Sequence, residues 1–136
     1  MVKLIAGKKG SGKSKQMIQL ANDEVKKSDG NIVYLDDNDR NIFDLDHNIR
    51  FIDISEYDIK SVDGFVGFIS GMLSRDYDID KIFIDGILKS VKTDVSLLPD
   101  IFQKLEIVSD KNDVCFYLSA SHPITGLPNE LEKYLY

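Results

Sequence analysis

Short apolar runs recur along the chain, separated by longer segments of mixed polarity. Five of these runs are dense enough in aliphatic and aromatic residues to predict β-strands. They cover residues 2–6, 31–35, 50–54, 81–84 and 114–118. Three of the five lack the alternation of apolar and polar residues that a half-exposed strand has, which is typical of parallel strands covered on both faces.

Between several of these runs, apolar residues recur at helical spacing. The predicted helices cover residues 13–27, 61–73, 96–108 and 128–134. The polar segment 36–48 is predicted to be an exposed loop. Because strands alternate with helices, we predict one domain over residues 1–136, an α/β protein with a three-layer α/β/α fold and a five-stranded, mostly parallel sheet.

A glycine-rich segment stands between the first predicted strand and the first predicted helix. Residues 7–14 read Gly-Lys-Lys-Gly-Ser-Gly-Lys-Ser, which matches the pattern G-x-x-x-x-G-K-[ST] in full. Glycines let backbone N–H groups turn toward a polyanion, and the following helix adds its positive end. In such a loop Lys13 reaches the β- and γ-phosphates of a nucleotide, and the Ser14 hydroxyl is a ligand of Mg²⁺.

The segment therefore predicts a binding site for a nucleoside triphosphate. The predicted phosphate-binding residues are Gly7, Lys8, Lys9, Gly10, Ser11, Gly12, Lys13, Ser14 and Lys15. For Lys8 and Lys9 the sequence leaves two alternatives, extra phosphate contacts or solvated loop lysines.

A second Mg²⁺ ligand is predicted at Asp85, directly after the apolar run 81–84. An acid at this place would end a buried strand at the carboxyl edge of the sheet, where open α/β sheets bind ligands. The alternative is a surface aspartate that caps a turn before Gly86. Together with the loop, the position favours a metal site made by Ser14 and Asp85.

With both motifs, nearly the whole chain resembles the P-loop NTPase superfamily, and within it the RecA-like ATPases. Some short bacterial proteins of this kind are named after the pilus-retraction ATPase PilT, although this chain lacks the N-terminal domain and histidine motif of pilus motors. The resemblance implies that strand 114–118 lies between the strands of Gly7 and Asp85. It also implies catalytic roles for Lys13, for the acids Asp37 and Asp39 after the second strand, and for Ser119 as a γ-phosphate sensor. For each acid, a solvated loop carboxylate is the alternative.

The chain also departs from the family pattern. Gly86 stands where many of these ATPases carry a glutamate that polarises the attacking water, and none of Arg40, Arg50 and Arg75 is evidently an arginine finger. We therefore expect a Mg²⁺-dependent ATPase that is slow alone and acts with a protein partner. GTP is disfavoured because the guanine-reading Asn/Thr-Lys-x-Asp segment is absent.

Two other functions stay open at this point. A non-hydrolysing ATP-binding regulator is favoured by Gly86, and a nucleoside or nucleotide kinase is disfavoured because such kinases usually carry an arginine-rich lid. RecA-like ATPases often assemble with nucleotide between subunits, so a homo-oligomer is also open.

Composition limits the classes of partner and the cellular compartment that we expect. The net charge of -6 argues against a broad nucleic-acid-binding face, which needs many cations. No apolar stretch reaches the roughly 18 residues of a membrane span, and the N-terminal run is too short for a signal peptide. We therefore expect no membrane span and a cytoplasmic protein.

Overall fold

The five predicted strands form one sheet in the computed structural model, which describes residues 1–136. The strands are β1 (Val2–Gly7), β2 (Asn31–Asp36), β3 (Arg50–Asp53), β4 (Ile79–Ile84) and β5 (Cys115–Ser121). Every pair of neighbours is parallel, and the sheet order is β1-β5-β4-β2-β3. The α/β class and the five strands are confirmed, and β5 lies between β1 and β4 as expected.

Four α-helices join the strands. They are α1 (Lys13–Lys27), α2 (Val62–Arg75), α3 (Ile87–Val91) and α4 (Leu98–Asn112). Helix α2 forms despite its glycines, because Ser61 caps it by accepting a hydrogen bond from the Gly64 amide at 2.9 Å and its apolar face is buried. The sequence did not predict α3, and the predicted helix over 128–134 is a 3₁₀ helix, Asn129–Tyr134.

Side chains from opposite faces of the sheet enter two separate cores. On one face α1 packs Met17 and Ala21 onto the strands, where the Phe83 ring stacks on Tyr117 with centroids 4.7 Å apart. On the other face α2 and α4 bury a larger core of 25 residues. Helices on both faces explain why the strands are apolar without alternation, and the arrangement is consistent with three layers.

The segment that follows β5 covers the outer edge of β1. Leu131 and Tyr134 are buried in the larger core, and the Tyr136 amide donates to the Leu4 carbonyl at 2.9 Å. The opposite edge is formed by the four-residue strand β3. None of the helices is long and apolar enough to cross a membrane.

Residues 37–48 form a largely exposed connection between β2 and β3, with one 3₁₀ turn at Ile42–Asp44. The prediction of an exposed loop over 36–48 is wrong at its first residue. Asp36 is the last residue of β2 and is buried.

Candidate functional site

The predicted site residues lie at or near the carboxyl ends of four strands, and Ser119 is the one on β5. Because all strands are parallel, the carboxyl ends of β1, β2 and β4 lie at the same edge of the sheet. The glycine-rich loop follows β1, Asp37 follows β2, and Asp85 follows β4. Parallel topology thus brings together groups that are far apart in sequence.

The glycine-rich loop ends on α1 through two residues with left-handed backbone. Gly10 has a φ of 83° and Gly12 a φ of 90°, values that side chains disfavour. Gly12 occupies the N-cap position of α1 and leaves the helix without a side-chain cap. Of the amides from Lys9 to Gln16, those of Ser11 and Gln16 donate to main-chain carbonyls. The amides of Lys13, Ser14 and Lys15, at the start of the 15-residue helix, therefore remain available to an external acceptor.

Lys13 lies across the loop that precedes it. Its side-chain Nζ donates to the Lys8 carbonyl at 2.9 Å and to Ser11 Oγ at 3.4 Å. The residue is 8% exposed, and burial lowers the pKa of its ammonium while the charge of Asp85 opposes that change. A cation is thus fixed beside the helix amides.

Asp85 is held from two sides by hydroxyl groups. It is 4% exposed, its Oδ2 accepts from Tyr34 Oη at 2.8 Å, and its Oδ1 accepts from Ser119 Oγ at 2.7 Å. Burial and the Asp85 charge raise the pKa of Tyr34, so this phenol stays a hydrogen-bond donor. Because Ser119 Oγ also accepts from the Gly86 amide at 2.8 Å, its hydroxyl orients Asp85 and the turn after β4.

Asp36 is the site residue that sequence reasoning missed. It is 6% exposed, and with Ser14 and Asp85 it lines a cavity of about 240 Å³. Burial and the Asp85 charge together raise the pKa of Asp36 to about 8. The sequence signal was its position as the first acid after the run 31–35.

The remaining candidates differ in where they lie. Asp37 is half-buried and lines the same cavity, whereas Asp39 is exposed and lies outside the lining. The side chains of Lys8, Lys9 and Lys15 are on the exposed surface around the loop.

The oxygen groups of the cavity suit a magnesium ion better than a transition metal. No group of three or more His, Cys, Asp and Glu side chains forms a metal cluster. Mg²⁺ is commonly bound through one or two carboxylates, with water and substrate phosphates as its other ligands. Ser14 and Asp85 could provide oxygen donors of that kind, with the buried Asp36 beside them.

Neither protein-family models nor curated proteins give a match to this chain.

Proposed function

We propose that this protein binds ATP with Mg²⁺ at the carboxyl edge of its sheet and hydrolyses the nucleotide slowly, in concert with a protein partner. The proposal depends on one arrangement of polar groups at the carboxyl edge of the sheet. Ser14 in the first turn of α1 lines a cavity with the buried Asp85, next to a glycine loop with free amides and the fixed ammonium of Lys13.

The phosphates are proposed to bind at the loop and the first turn of α1. Free amides and the positive end of a helix attract anions, and a phosphate chain has the charge and the acceptors to use both. Lys13 supplies a full positive charge at the same place. Its present partners, Lys8 O and Ser11 Oγ, are neutral acceptors, so a phosphate is the stronger partner for this ammonium.

Mg²⁺ would be held by the Ser14 hydroxyl and the Asp85 carboxylate, with Asp36 adjacent. The ion would neutralise charge on the phosphate oxygens. The hydrogen bonds from Tyr34 and Ser119 keep the Asp85 oxygens in one orientation, which lowers the entropy lost when a metal binds.

Slow turnover is expected because the cavity contains few groups able to activate water. Phosphoryl transfer depends mainly on positioning and charge, which the loop supports. The residue after Asp85 is Gly86, so no carboxylate follows the proposed metal ligand. Besides Asp36 and Asp85, the acid that lines the cavity is Asp37.

The proposal is tested by titrating the protein with ATP and Mg²⁺ in a calorimeter. Lys13→Ala is expected to weaken binding at least about ten-fold, since a hydrogen bond to a charged group contributes about 1.5–3 kcal/mol. Lys27→Ala is the matched control, because this exposed lysine lies at the other end of the same helix. Equal affinities of the three proteins, or no heat of binding in the unchanged chain, would refute the proposal.

The same site also suits a non-hydrolysing ATP-binding regulator, a second candidate that Gly86 favours. A phosphate-release assay distinguishes the two functions. Steady release that Lys13→Ala abolishes supports the ATPase, whereas tight binding with no release selects the regulator.

A further inference from the structure

One of the three arginines lines the proposed nucleotide cavity. Arg40 lies on the connection after β2, and its side chain lines the cavity together with Ser14 and Asp85. The other two arginines, Arg50 and Arg75, line a different groove between α2 and β3. The placement of Arg40 is a consequence of the turn after β2, which brings the chain back over the carboxyl edge of the sheet.

The guanidinium of Arg40 is held at one nitrogen. Asn38 Oδ1 accepts from both the main-chain amide and the Nε of Arg40, each at 3.0 Å. Asn38 is in turn bound through its Nδ2 to Asp37 Oδ1 at 2.8 Å. These bonds join the guanidinium to the end of β2 and reduce the entropy that Arg40 would lose on meeting a ligand.

The terminal nitrogens of the same guanidinium are without protein partners. Arg40 forms no salt bridge, although Asp36, Asp37 and Asp85 line the same cavity. Lys89 from α3 is the other cationic side chain in the lining. An arginine offers a planar pair of donors that matches phosphate oxygens, whereas a lysine offers a point charge.

From this geometry we infer that Arg40 contacts the γ-phosphate of ATP from within the same chain and stabilises its transfer to water. The inference rests on the proposed function and adds to it a source of positive charge from the connection after β2. In the hydrolysis, a water oxygen bonds to the γ-phosphorus while the bond from that phosphorus to the bridging oxygen breaks. The electron pair leaves with ADP, and one proton is released.

Affinity for two nucleotides tests the inference without relying on turnover. Arg40→Gln is expected to weaken binding of ATP with Mg²⁺ roughly ten- to a hundred-fold, as loss of a charged hydrogen bond does, and to leave ADP with Mg²⁺ within about two-fold. Arg75→Gln, an exposed arginine outside the cavity, is the matched control and is expected to bind both nucleotides like the unchanged chain.

Two further variants distinguish a direct contact of the Arg40 guanidinium with the phosphate from a general effect of its positive charge. Arg40→Lys keeps the charge but loses the planar pair, so it is expected to recover only part of the ATP affinity. Asn38→Ala frees the Nε of Arg40 and is expected to weaken ATP binding less than Arg40→Gln. Single-turnover hydrolysis by Arg40→Gln at saturating ATP is expected to fall by about 10³-fold or more, the range measured for arginines that act on a transferring phosphate.

The outcomes separate this inference from the proposed function. Equal ATP affinity and hydrolysis in Arg40→Gln and Arg75→Gln overturns the role of Arg40, and so does an equal loss for ATP and ADP. If Lys13→Ala binds ATP like the unchanged chain, the proposed function fails first and the inference fails with it. An unchanged thermal unfolding midpoint shows that the exposed substitution has left the fold intact.

Discussion

At the scale of single residues, Asp36 is a carboxyl group that gains a proton when the chain folds. Burial and the neighbouring Asp85 charge raise its pKa from 3.8 to about 8. Between those values the folded protein keeps a proton that the unfolded chain has released. The free energy of unfolding therefore falls as pH rises from about 4 to about 8, and the contribution is lost above that window.

Asp36→Asn is expected to remove this dependence. Its free energy of unfolding, measured by urea denaturation without Mg²⁺, should change less steeply between pH 5 and pH 8. The difference in slope is at most about 1.4 kcal/mol per pH unit, the value for one proton. Asp39→Asn, at an exposed site, is the control. Parallel pH profiles for Asp36→Asn and the unchanged chain would contradict the prediction.

Two buried serines allow a second residue-scale prediction. Ser119 Oγ donates to Asp85 and accepts from Gly86, whereas Ser90 Oγ is buried with no hydrogen-bond partner. Ser119→Ala is expected to lower the free energy of unfolding by about 1–3 kcal/mol, because the Gly86 amide loses its acceptor. Ser90→Ala should be neutral or stabilising. Chemical denaturation of both variants tests the contrast, and similar losses in the two would refute it.

The sequence predicts some site residues better than others. The loop of residues 7–14 and Asp85 are recognisable because each depends on neighbours in sequence, a glycine pattern or an apolar run. Asp36 also follows an apolar run directly, but its burial beside Asp85 depends on the pairing of β2 with β4, and the place of Arg40 depends on the turn after β2. Ser119 was predicted to follow strand 114–118 directly, whereas it lies within β5, where its hydroxyl donates to Asp85 through the β4–β5 register.

At the scale of elements, α2 is weakened by glycines that packing does not require. A Cβ built on Gly67 or on Gly71 meets no atom within 4 Å. Gly71→Ala is therefore expected to raise the free energy of unfolding by about 0.5–1 kcal/mol, the cost of glycine in a helix interior. Thermal or urea denaturation measures the change. A loss of stability would show that the open space at Gly71 is needed by the fold.

Gly30→Ala provides the contrasting case. A Cβ there would lie 2.6 Å from the Asp78 carbonyl oxygen, so this substitution is expected to destabilise the protein. Comparison of the two alanine variants separates the effect of helix propensity from that of steric space.

Elements with many apolar residues were predicted well, and the shortest ones were not. The three central strands β5, β4 and β2 are confirmed as runs that are mostly buried, and the edge strand β3 is confirmed although it is partly exposed. Strand β4 begins at Ile79, two residues before the predicted start, since Asp80 and Lys81 interrupt the apolar pattern yet pair with each other at 2.8 Å. Helix α3 has only five residues, too few to show a helical period.

At the scale of the whole molecule, nucleotide binding should be linked to global stability. A ligand present at 100 times its dissociation constant stabilises the folded state by about 2.7 kcal/mol. ATP with Mg²⁺ is therefore expected to raise the thermal unfolding midpoint of the unchanged chain, and chelation of Mg²⁺ with EDTA should reverse most of the rise. Lys13→Ala is the control and should show little shift. A thermal unfolding midpoint that changes with neither ATP nor Mg²⁺ would contradict this prediction.

The sheet order has a consequence for how the site is made during synthesis. Strand β1 precedes the glycine loop and is synthesised well before its sheet neighbour β5, which spans residues 115–121. Until those residues emerge, β1 has no neighbouring strand to pair with, and the position of the glycine loop is not fixed. If the proposed site binds nucleotide, we therefore expect a nascent chain to gain that affinity only after β5 has been synthesised.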